Sequence, residues 1–333
     1  MRALTKVLLA GSLLFSSACL AQTDGISQPT IRVDSSLVLV DVITQDAKAL
    51  PALGLKKEDF QVFDNGSDMP IRSFDVGARY ATRPIALWLV VICNQKDWDE
   101  NGSGFIRGKG PLLRPALEHL DKNDTMGVAH WCDDGTQRID FMPARDPAGA
   151  LGSMEQLLRD SPKNTSNRPG ELALQRMLRL VLENADHANP KPLPVMVFLY
   201  ADHSGMPRKE AEDLVKELLE TSVIVFGIND GGMPLDPAYL ENQSWCYYVA
   251  HFLTAMTGGQ YFSVEPNMFA TALDDILVQV HFRYVLGFQP DALDGKTHKL
   301  TVELTDSAKL KHPSTRLAFR PAYVSVKAKP RSQ

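Results

Sequence analysis

Residues 84–96 read PIALWLVVICNQK, an apolar run that begins after a proline and ends in polar residues. Such a run is typical of a strand buried on both faces of a parallel sheet. Comparable runs recur along the chain, and the predicted strands cover residues 85–92, 126–131, 138–142, 195–200, 223–228 and 260–264. The sequence therefore predicts an α/β domain at residues 82–282, built on a doubly wound, mostly parallel sheet of six strands.

Amphipathic helical patterns separate these strands. The pattern is clearest at residues 208–221, where Ala211, Leu214 and Leu218 lie on one face and charged residues lie opposite. The remaining helices are predicted at residues 112–120, 148–159, 171–185, 237–257 and 268–281. Cys246 falls within the fourth of these helices, and we interpret it as a core thiol.

Period-two alternation replaces the helical pattern on both sides of this domain. The predicted strands are residues 37–43, 60–63, 71–74 and 299–304. Asp64-Asn65-Gly66 is a strong hairpin signal, and Asp294-Gly295-Lys296 supplies a second turn. We expect residues 28–80 and 283–326 to form one sandwich-like β domain into which the α/β domain is inserted. The tail at residues 327–333 is expected to be disordered.

The first 21 residues have the pattern of a secretory signal peptide. Two basic residues precede an apolar run at residues 7–15, and small residues follow. We expect cleavage after Ala21 and export to the periplasm or the cell exterior. Lipidation at Cys19 is the alternative, but the polar Ser16 three positions earlier argues against it. No other apolar run is long and uncharged enough to predict a membrane helix in the mature chain.

Composition and motifs narrow the function classes. The chain has 23% charged residues and a formal net charge of -5, so it lacks the basic surface expected of a nucleic-acid-binding protein. It contains no Gly-x-Ser-x-Gly elbow and no P-loop. Asp202, His203 and Ser204 are adjacent, whereas the members of a catalytic triad come from separate segments. Since no catalytic motif is found, we expect that the chain is not an enzyme. His130, His203 and His251 lack the helical spacing of zinc ligands, so we expect no zinc site.

Two flanking segments carry a resemblance to a known family. Residues 37–74 contain the patterns L-x-x-x-D-F and V-F-D-N-G, and residues 283–304 contain D-G-K-x-H-x-L. Both segments resemble parts of the acidobacterial von Willebrand factor A-related proteins, and the resemblance covers residues 31–323. The middle of the chain occupies the place of their von Willebrand factor A domain. The resemblance implies a doubly wound sheet with its ligand site at the carboxyl ends of the strands.

In metal-binding members of that family, the first strand ends in Asp-x-Ser-x-Ser, whose oxygen atoms help to hold Mg²⁺. Here the corresponding residues are Ile92, Asn94 and Lys96, and Asp202 alone keeps an acid near a position that the family uses. The resemblance therefore implies a degenerate metal-ion-dependent adhesion site, and we expect no cofactor and neither Mg²⁺ nor Ca²⁺. The alternative is a rebuilt cation site that uses Asp97, Asp99, Asp133 or Asp134.

Three cysteines, Cys93, Cys132 and Cys246, remain after removal of the signal peptide. Cys93 ends the first predicted strand of the α/β domain and Cys132 ends the second, and these strands are neighbours in a doubly wound sheet. A strand spacing of about 4.8 Å falls within the Cα window for a disulfide. Because an exported protein can be oxidised, we predict a Cys93–Cys132 disulfide. The alternative is two buried free thiols.

We expect another protein to bind the rim, which we define as the loops at residues 93–108, 132–136, 161–170, 201–207 and 229–236. The candidate contact residues are Asn94, Gln95, Asp97, Asp133, Asp202, His203, Asn229 and Asp230. The expected function is adhesion or assembly without Mg²⁺. A second hypothesis is a periplasmic scaffold in which the rim is inert and the β-sandwich docks. A third is an unrecognised hydrolase.

Overall fold

The computed structural model describes residues 37–77, 83–93, 110–132, 137–160, 178–179, 181, 183, 192–199, 205–230 and 246–327. At several residues, among them Ile92, Cys93, Cys132 and Asp230, the description covers the backbone alone. The predicted disordered tail falls almost entirely outside the described residues, as does the predicted signal peptide.

The strands are numbered in chain order. The first four are β1 (Val38–Gln45), β2 (Phe60–Asp64), β3 (Ser67–Met69) and β4 (Ile71–Val76). The next eight are β5 (Ile85–Cys93), β6 (Thr125–Cys132), β7 (Gln137–Ala144), β8 (Leu193–Leu199), β9 (Gly205–Pro207), β10 (Ile224–Asp230), β11 (Cys246–Tyr248) and β12 (Tyr261–Val264). The last four are β13 (Tyr284–Phe288), β14 (Thr297–Leu304), β15 (Arg316–Ala318) and β16 (Ala322–Val324).

Helices lie between the strands of the α/β part and near the end of the chain. They are α1 (Gly110–Leu117), α2 (Pro147–Asp160), α3 (Arg208–Leu219), α4 (Val249–Thr257), α5 (Phe269–His281) and α6 (Asp306–Lys311). Leu178, Arg179, Val181 and Glu183 are also helical, within the helix predicted at residues 171–185. None of the described helices is long and apolar enough to cross a membrane.

The central sheet has six strands in the order β12-β10-β8-β5-β6-β7. Its strands pair in parallel, except that β7 pairs antiparallel with β6 at the edge. Counted along the chain, this order is 3-2-1-4-5-6, the arrangement of doubly wound sheets. The structure therefore confirms the predicted α/β class and its mostly parallel six-stranded sheet.

Both faces of this sheet are covered by apolar side chains, which explains why β5 reads as a continuous apolar run. Leu87, Leu89 and Val91 belong to one core cluster, whereas Trp88 and Val90 belong to another. Helices α1, α2 and α5 contribute to the first cluster, and α3 and α4 contribute to the second. Because successive strand residues point to opposite faces, a strand covered on both sides has no polar positions left.

The predicted helix at residues 237–257 is wrong over part of its length. Residues 246–248 form β11, which pairs antiparallel with β9, and the helix α4 begins only at Val249. Cys246 therefore lies on a short strand, where it is the register partner of Pro207, and not on a helix. Strand pairing with a segment about forty residues away overrides the local helical pattern.

Strands from the two ends of the chain share two further sheets. One has the order β15-β1-β13-β4, and the other has the order β16-β14-β2-β3. Side chains from both sheets meet in a single core that includes Val42, Val62, Leu286 and Val302. The Tyr284 ring packs within this core, and its hydroxyl donates to the Ala52 carbonyl at 2.9 Å. The arrangement is that of a β-sandwich built from both flanks.

The predicted turn between β2 and β3 is confirmed. Asp64 and Ser67 are register partners, so the loop consists of Asn65 and Gly66 alone. Both residues have positive φ angles, 49° for Asn65 and 87° for Gly66. A two-residue loop with positive φ at both positions is the type I′ turn that matches the twist of a hairpin, which explains the Asn-Gly sequence.

Arginine side chains join the β-sandwich to the α/β part. The Arg283 guanidinium is buried, and its Nε donates to Asp41 Oδ1 at 2.6 Å. Arg320 lies between β15 and β16 and donates through Nη1 to the Thr221 carbonyl at 2.6 Å, just beyond α3. Arg83 Nη2 donates to Ser222 Oγ at 2.9 Å. Arg283 also donates through Nη1 to the Val280 carbonyl on α5 at 2.7 Å. Arg283 and Arg320 thus connect the sandwich to the α/β part, whereas the Arg83 bond lies within the α/β part.

Candidate functional site

The carboxyl edge of the central sheet is the place where the sequence predicts a partner-binding rim. Five parallel strands end there, at Cys93, Cys132, Leu199, Asp230 and Val264. The predicted contact residues Asn94, Gln95, Asp97, Asp133, Asp202 and His203 lie outside the described residues. The acids of the alternative cation site, including Asp99 and Asp134, lie outside them as well.

Asn229 and Asp230 are strand residues and not loop residues. β10 continues through Asp230, two residues beyond the predicted end of the strand, because Asn229 pairs with Ser263 and Asp230 pairs with Val264 on β12. The Asn229 residue is 3% exposed. Its predicted role as a surface contact is therefore wrong for the structure described, since a buried side chain cannot reach a partner.

Cys93 and Cys132 are register partners. β5 and β6 pair without interruption from Ala86 and Thr125 at one end to these two cysteines at the other. The expected adjacency of the two strands is therefore observed at the backbone level. The disulfide itself stays a prediction.

A buried histidine and aspartate lie next to these positions. His130 is 2% exposed, and its Nδ1 is 2.7 Å from Asp140 Oδ2 on β7. The register between β6 and β7 shifts at this point, so that Val128 pairs with Phe141 and Ala129 pairs with Ile139. Asp140 is the extra residue of this β-bulge. Bulges redirect a side chain from its regular position, and this one brings the carboxylate to His130.

Both carboxylate oxygens of Asp140 accept hydrogen bonds. Oδ1 accepts from Arg138 Nε at 2.9 Å and from Arg138 Nη2 at 2.7 Å. The Asp140 backbone carbonyl accepts from Ser153 Oγ on α2 at 2.9 Å. A carboxylate oxygen accepts, so the bond to Asp140 requires a hydrogen on Nδ1 of His130. The orientation of the His130 ring is thus fixed from the β7 side.

The other ring nitrogen of His130 is different. Nε2 is buried, and none of the side chains or backbone groups in the described part of the chain forms a hydrogen bond with it. A buried polar atom without a partner is rare, and it commonly marks a functional group or a bound water or ion. In a neutral ring whose hydrogen is on Nδ1, Nε2 presents a lone pair that can bind a metal ion.

Sequence reasoning missed this site because it tested helical spacing alone. His130 and Cys132 are two residues apart on a strand, which places both positions on the same face of the sheet. Asp140 gave no local signal, since its role depends on a bulge in an antiparallel edge strand.

A second cluster lies at the opposite, amino edge of the sheet. Ligand atoms of Asp121, Asp124 and His281 lie within 4.8 Å of one another, so these residues could hold a metal ion. However, Asp124 Oδ1 accepts from the Ile85 backbone N–H at 2.8 Å, and Oδ2 accepts from Asp121 N–H and is 2.9 Å from His281 Nε2. The Asp124 carboxylate thus orders the starts of β5 and β6. The cluster is a structural cap.

A third polar network lies inside the β-sandwich and joins the two segments that carry the family resemblance. His298 Nδ1 is 2.8 Å from Asp64 Oδ1, and His298 Nε2 is 3.2 Å from Asp294 Oδ1. The Tyr323 hydroxyl donates to Asp64 Oδ2 at 2.9 Å, and Ser325 Oγ donates to Asp294 Oδ1 at 2.7 Å. The aspartate of V-F-D-N-G and the histidine of D-G-K-x-H-x-L therefore bind each other across β2 and β14.

Burial and hydrogen bonds shift the pKa values of three groups in this network. Burial alone would lower the pKa of His298, but its bonds to Asp64 and Asp294 outweigh burial, and the pKa is raised. The Lys296 backbone N–H and the Ser325 hydroxyl hold the pKa of Asp294 well below its usual range. Burial, and next the bond to Asp64, raise the pKa of Tyr323. The raised pKa favours the charged form of His298 between the two carboxylates, and both of its ring nitrogens are already bonded to side chains.

Comparison with known proteins gives similarity at the level of structure. The chain matches no protein-family model and no curated protein. Among solved structures, a von Willebrand factor type A protein from Catenulispora acidiphila is similar at 10% identity and a TM-score of 0.40, over 80% of this chain and 76% of that one. BatB from Bacteroides thetaiotaomicron is similar at 12% identity and a TM-score of 0.39, over 59% and 97%.

A third similar structure is proximal thread matrix protein 1 from the mussel byssus, at 11% identity and a TM-score of 0.38. The match covers 62% of this chain and 47% of that one, so the chain spans about half the length of the mussel protein. The α/β assignment rests on the sheet order and strand directions described above.

Proposed function

We propose that this chain is an exported protein-binding module for adhesion or assembly, and that it binds its partner through the rim without Mg²⁺. The observation that carries the proposal is the 3-2-1-4-5-6 sheet order, which brings the ends of five strands to one edge. In open α/β sheets, ligands bind at this edge, beside the point where the strand order reverses. Here the order reverses between β5 and β8.

The residue at the end of β5 supports binding without Mg²⁺. Mg²⁺ takes oxygen ligands in a near-octahedral shell at about 2.0–2.1 Å. Ile92 occupies the strand position at which the resembling family places its aspartate, and an isoleucine has no oxygen in its side chain. Contact with a partner would instead use hydrogen bonds from Asn94 and Gln95 and the charge of Asp202. Asn229 is not part of this proposal, because it is buried.

A photo-crosslinking experiment tests the proposal. A photoreactive amino acid replaces Gln95 on the rim, and the same amino acid replaces Lys122, an exposed residue at the amino edge of the same sheet, as the matched control. We expect a discrete adduct from position 95 in the host cell envelope, with no adduct from position 122. The adduct from position 95 should be equally strong with and without EDTA. An adduct that needs a divalent cation would contradict binding without Mg²⁺.

The scaffold hypothesis has one observation in its favour. Leu39 on β1 is 53% exposed in the β-sandwich, so its side chain is accessible to a docking partner. The same experiment separates the two functions when position 39 is added. An adduct from position 39 and none from position 95 would mean that the sandwich docks and the rim is inert.

A further inference from the structure

His130 has a fixed ring and a buried, unpaired nitrogen. Its Nδ1 is bound to Asp140 on β7, and β6 lies between β7 and β5. The two nitrogens are separated by one carbon atom of the imidazole ring, so the bond of Nδ1 to Asp140 leaves Nε2 available to a second group. Nε2 has no hydrogen-bond partner among the described residues.

The strand register places two cysteine positions next to the position of His130. His130 is the register partner of Val91, and Cys132 is the register partner of Cys93, one strand repeat further towards the carboxyl edge. Positions two apart on a strand share a face of the sheet. Positions 91, 93, 130 and 132 therefore form one patch on a single face, with a histidine and two cysteines at three of its four corners.

We propose that His130, Cys93 and Cys132 form a binding site for a thiophilic cation of the Zn²⁺ class in the reduced chain. Thiolate and imidazole are the ligands that Zn²⁺ takes, usually in tetrahedral geometry. A site with three protein ligands leaves the fourth position for water or a partner group. Cys93 and Cys132 are the first residues of two rim loops, but the cation site goes beyond the proposed function, since a partner could bind the rim whether or not a cation is present.

Asp140 is bonded to His130 as expected of a residue that positions a metal-binding histidine. Histidines that bind a metal nearly always donate the other ring N–H to a carboxylate or carbonyl, which fixes the ring and raises the basicity of the binding nitrogen. His130 shows this arrangement, and Arg138 holds the second oxygen of Asp140. The amino-edge cluster at Asp124 lacks it, because the carboxylate there is already saturated by backbone N–H groups and by His281.

The cation site and the predicted disulfide exclude each other on one molecule. A cysteine binds a metal ion as a thiolate, and the sulfur atoms of a disulfide are not thiolates. The proposal therefore concerns the reduced chain. Binding should release protons from the thiols and weaken as the pH falls.

Co²⁺ is the probe for the test, because its absorption reports thiolate ligation and tetrahedral geometry. The mature chain is reduced, freed of metal and titrated with Co²⁺ under anaerobic conditions, and Zn²⁺ is then added. We expect one Co²⁺ per chain, with a near-ultraviolet thiolate band that Zn²⁺ abolishes. The band should be lost in Cys93→Ser and in Cys132→Ser, and kept in the matched control Cys246→Ser. Asp140→Asn should weaken binding by about 10–100-fold.

His130→Asn is the decisive variant. An asparagine amide can still donate to Asp140 in place of Nδ1 but has no atom at the position of Nε2, so the fold is retained while the ligand is removed. We expect the circular dichroism and thermal midpoint of the apo chain to be nearly unchanged and the Co²⁺ band to be lost. The proposal is overturned if the reduced wild-type chain binds no Co²⁺ or Zn²⁺, or if His130→Asn binds as tightly as the wild type. Neither result would alter crosslinking from position 95.

Discussion

Two buried histidines in this chain each bind an aspartate through Nδ1, and they differ in what the second nitrogen does. His298 in the β-sandwich uses both nitrogens, one for Asp64 and one for Asp294. His130 in the α/β part uses one, and its Nε2 is unpaired within the described part of the chain. A histidine saturated on both sides holds strands together, whereas one that is oriented and left open is available for chemistry. The predictions below test this distinction.

The largest effect is expected from removing the carboxylate of the saturated histidine. Asp64→Ala leaves His298 Nδ1 and the Tyr323 hydroxyl without their shared acceptor inside the sandwich. Breaking a buried charge pair on one side is strongly destabilising, so we expect the free energy of unfolding to fall by about 3 kcal/mol. Urea denaturation measures it. Asp68→Ala on the exposed side of the same hairpin is the control and should change stability by less than about 0.5 kcal/mol.

Asp140→Ala should lower the free energy of unfolding by less than Asp64→Ala does. It removes the acceptor of His130, but Arg138 is 69% exposed and returns to water at little cost. One buried imidazole is then left unpaired, which corresponds to a loss of about 2 kcal/mol in the free energy of unfolding. The same urea titration measures it. If Asp140→Ala proves more damaging than Asp64→Ala, the open histidine is the more structural of the two, contrary to our distinction.

The asparagine variants of the two histidines should separate them further. His298→Asn can keep one of two carboxylate bonds, so we expect a loss of about 1–2 kcal/mol. His130→Asn can keep its single bond to Asp140, and the apo chain should lose less than about 1 kcal/mol. Thermal unfolding of both apo variants in parallel gives the comparison. Equal losses would mean that Nε2 of His130 contributes to stability through a partner outside the described residues.

The sequence is informative where structure is local and uninformative where it depends on distant pairing. β5 is recognisable because residues 85–91 are all buried, and the Asn65-Gly66 turn is recognisable because both residues have positive φ. The sequence predicts the end of β10 two residues too early, because Asn229 is a strand residue only through its pairing with Ser263. The sequence predicts a helix where β11 lies, because the partner strand of β11 is far away in the chain.

The polar sites depend even more on distant contacts. Asp64 and His298 are 234 residues apart, and no local pattern relates them, although both stand within the segments that carry the family resemblance. Asp140 reaches His130 only through a bulge, which shifts the register by one residue. Most of the predicted rim residues follow strand ends outside the described residues, so their roles stay predictions.

The smallest effect is the pH dependence that His298 gives to the sandwich. Its pKa is raised in the folded chain by Asp64 and Asp294, so the folded state holds the proton more tightly than the unfolded state does. The stabilisation is complete below the unfolded histidine pKa of about 6.5 and is lost as the pH rises through the folded value. Urea titrations of the wild type and of His298→Gln at pH 6 and at pH 9 should show a smaller difference in stability at the higher pH. A difference that is the same at both pH values would mean that His298 is held as a neutral ring, and that saturation by two carboxylates does not make it a charged bridge.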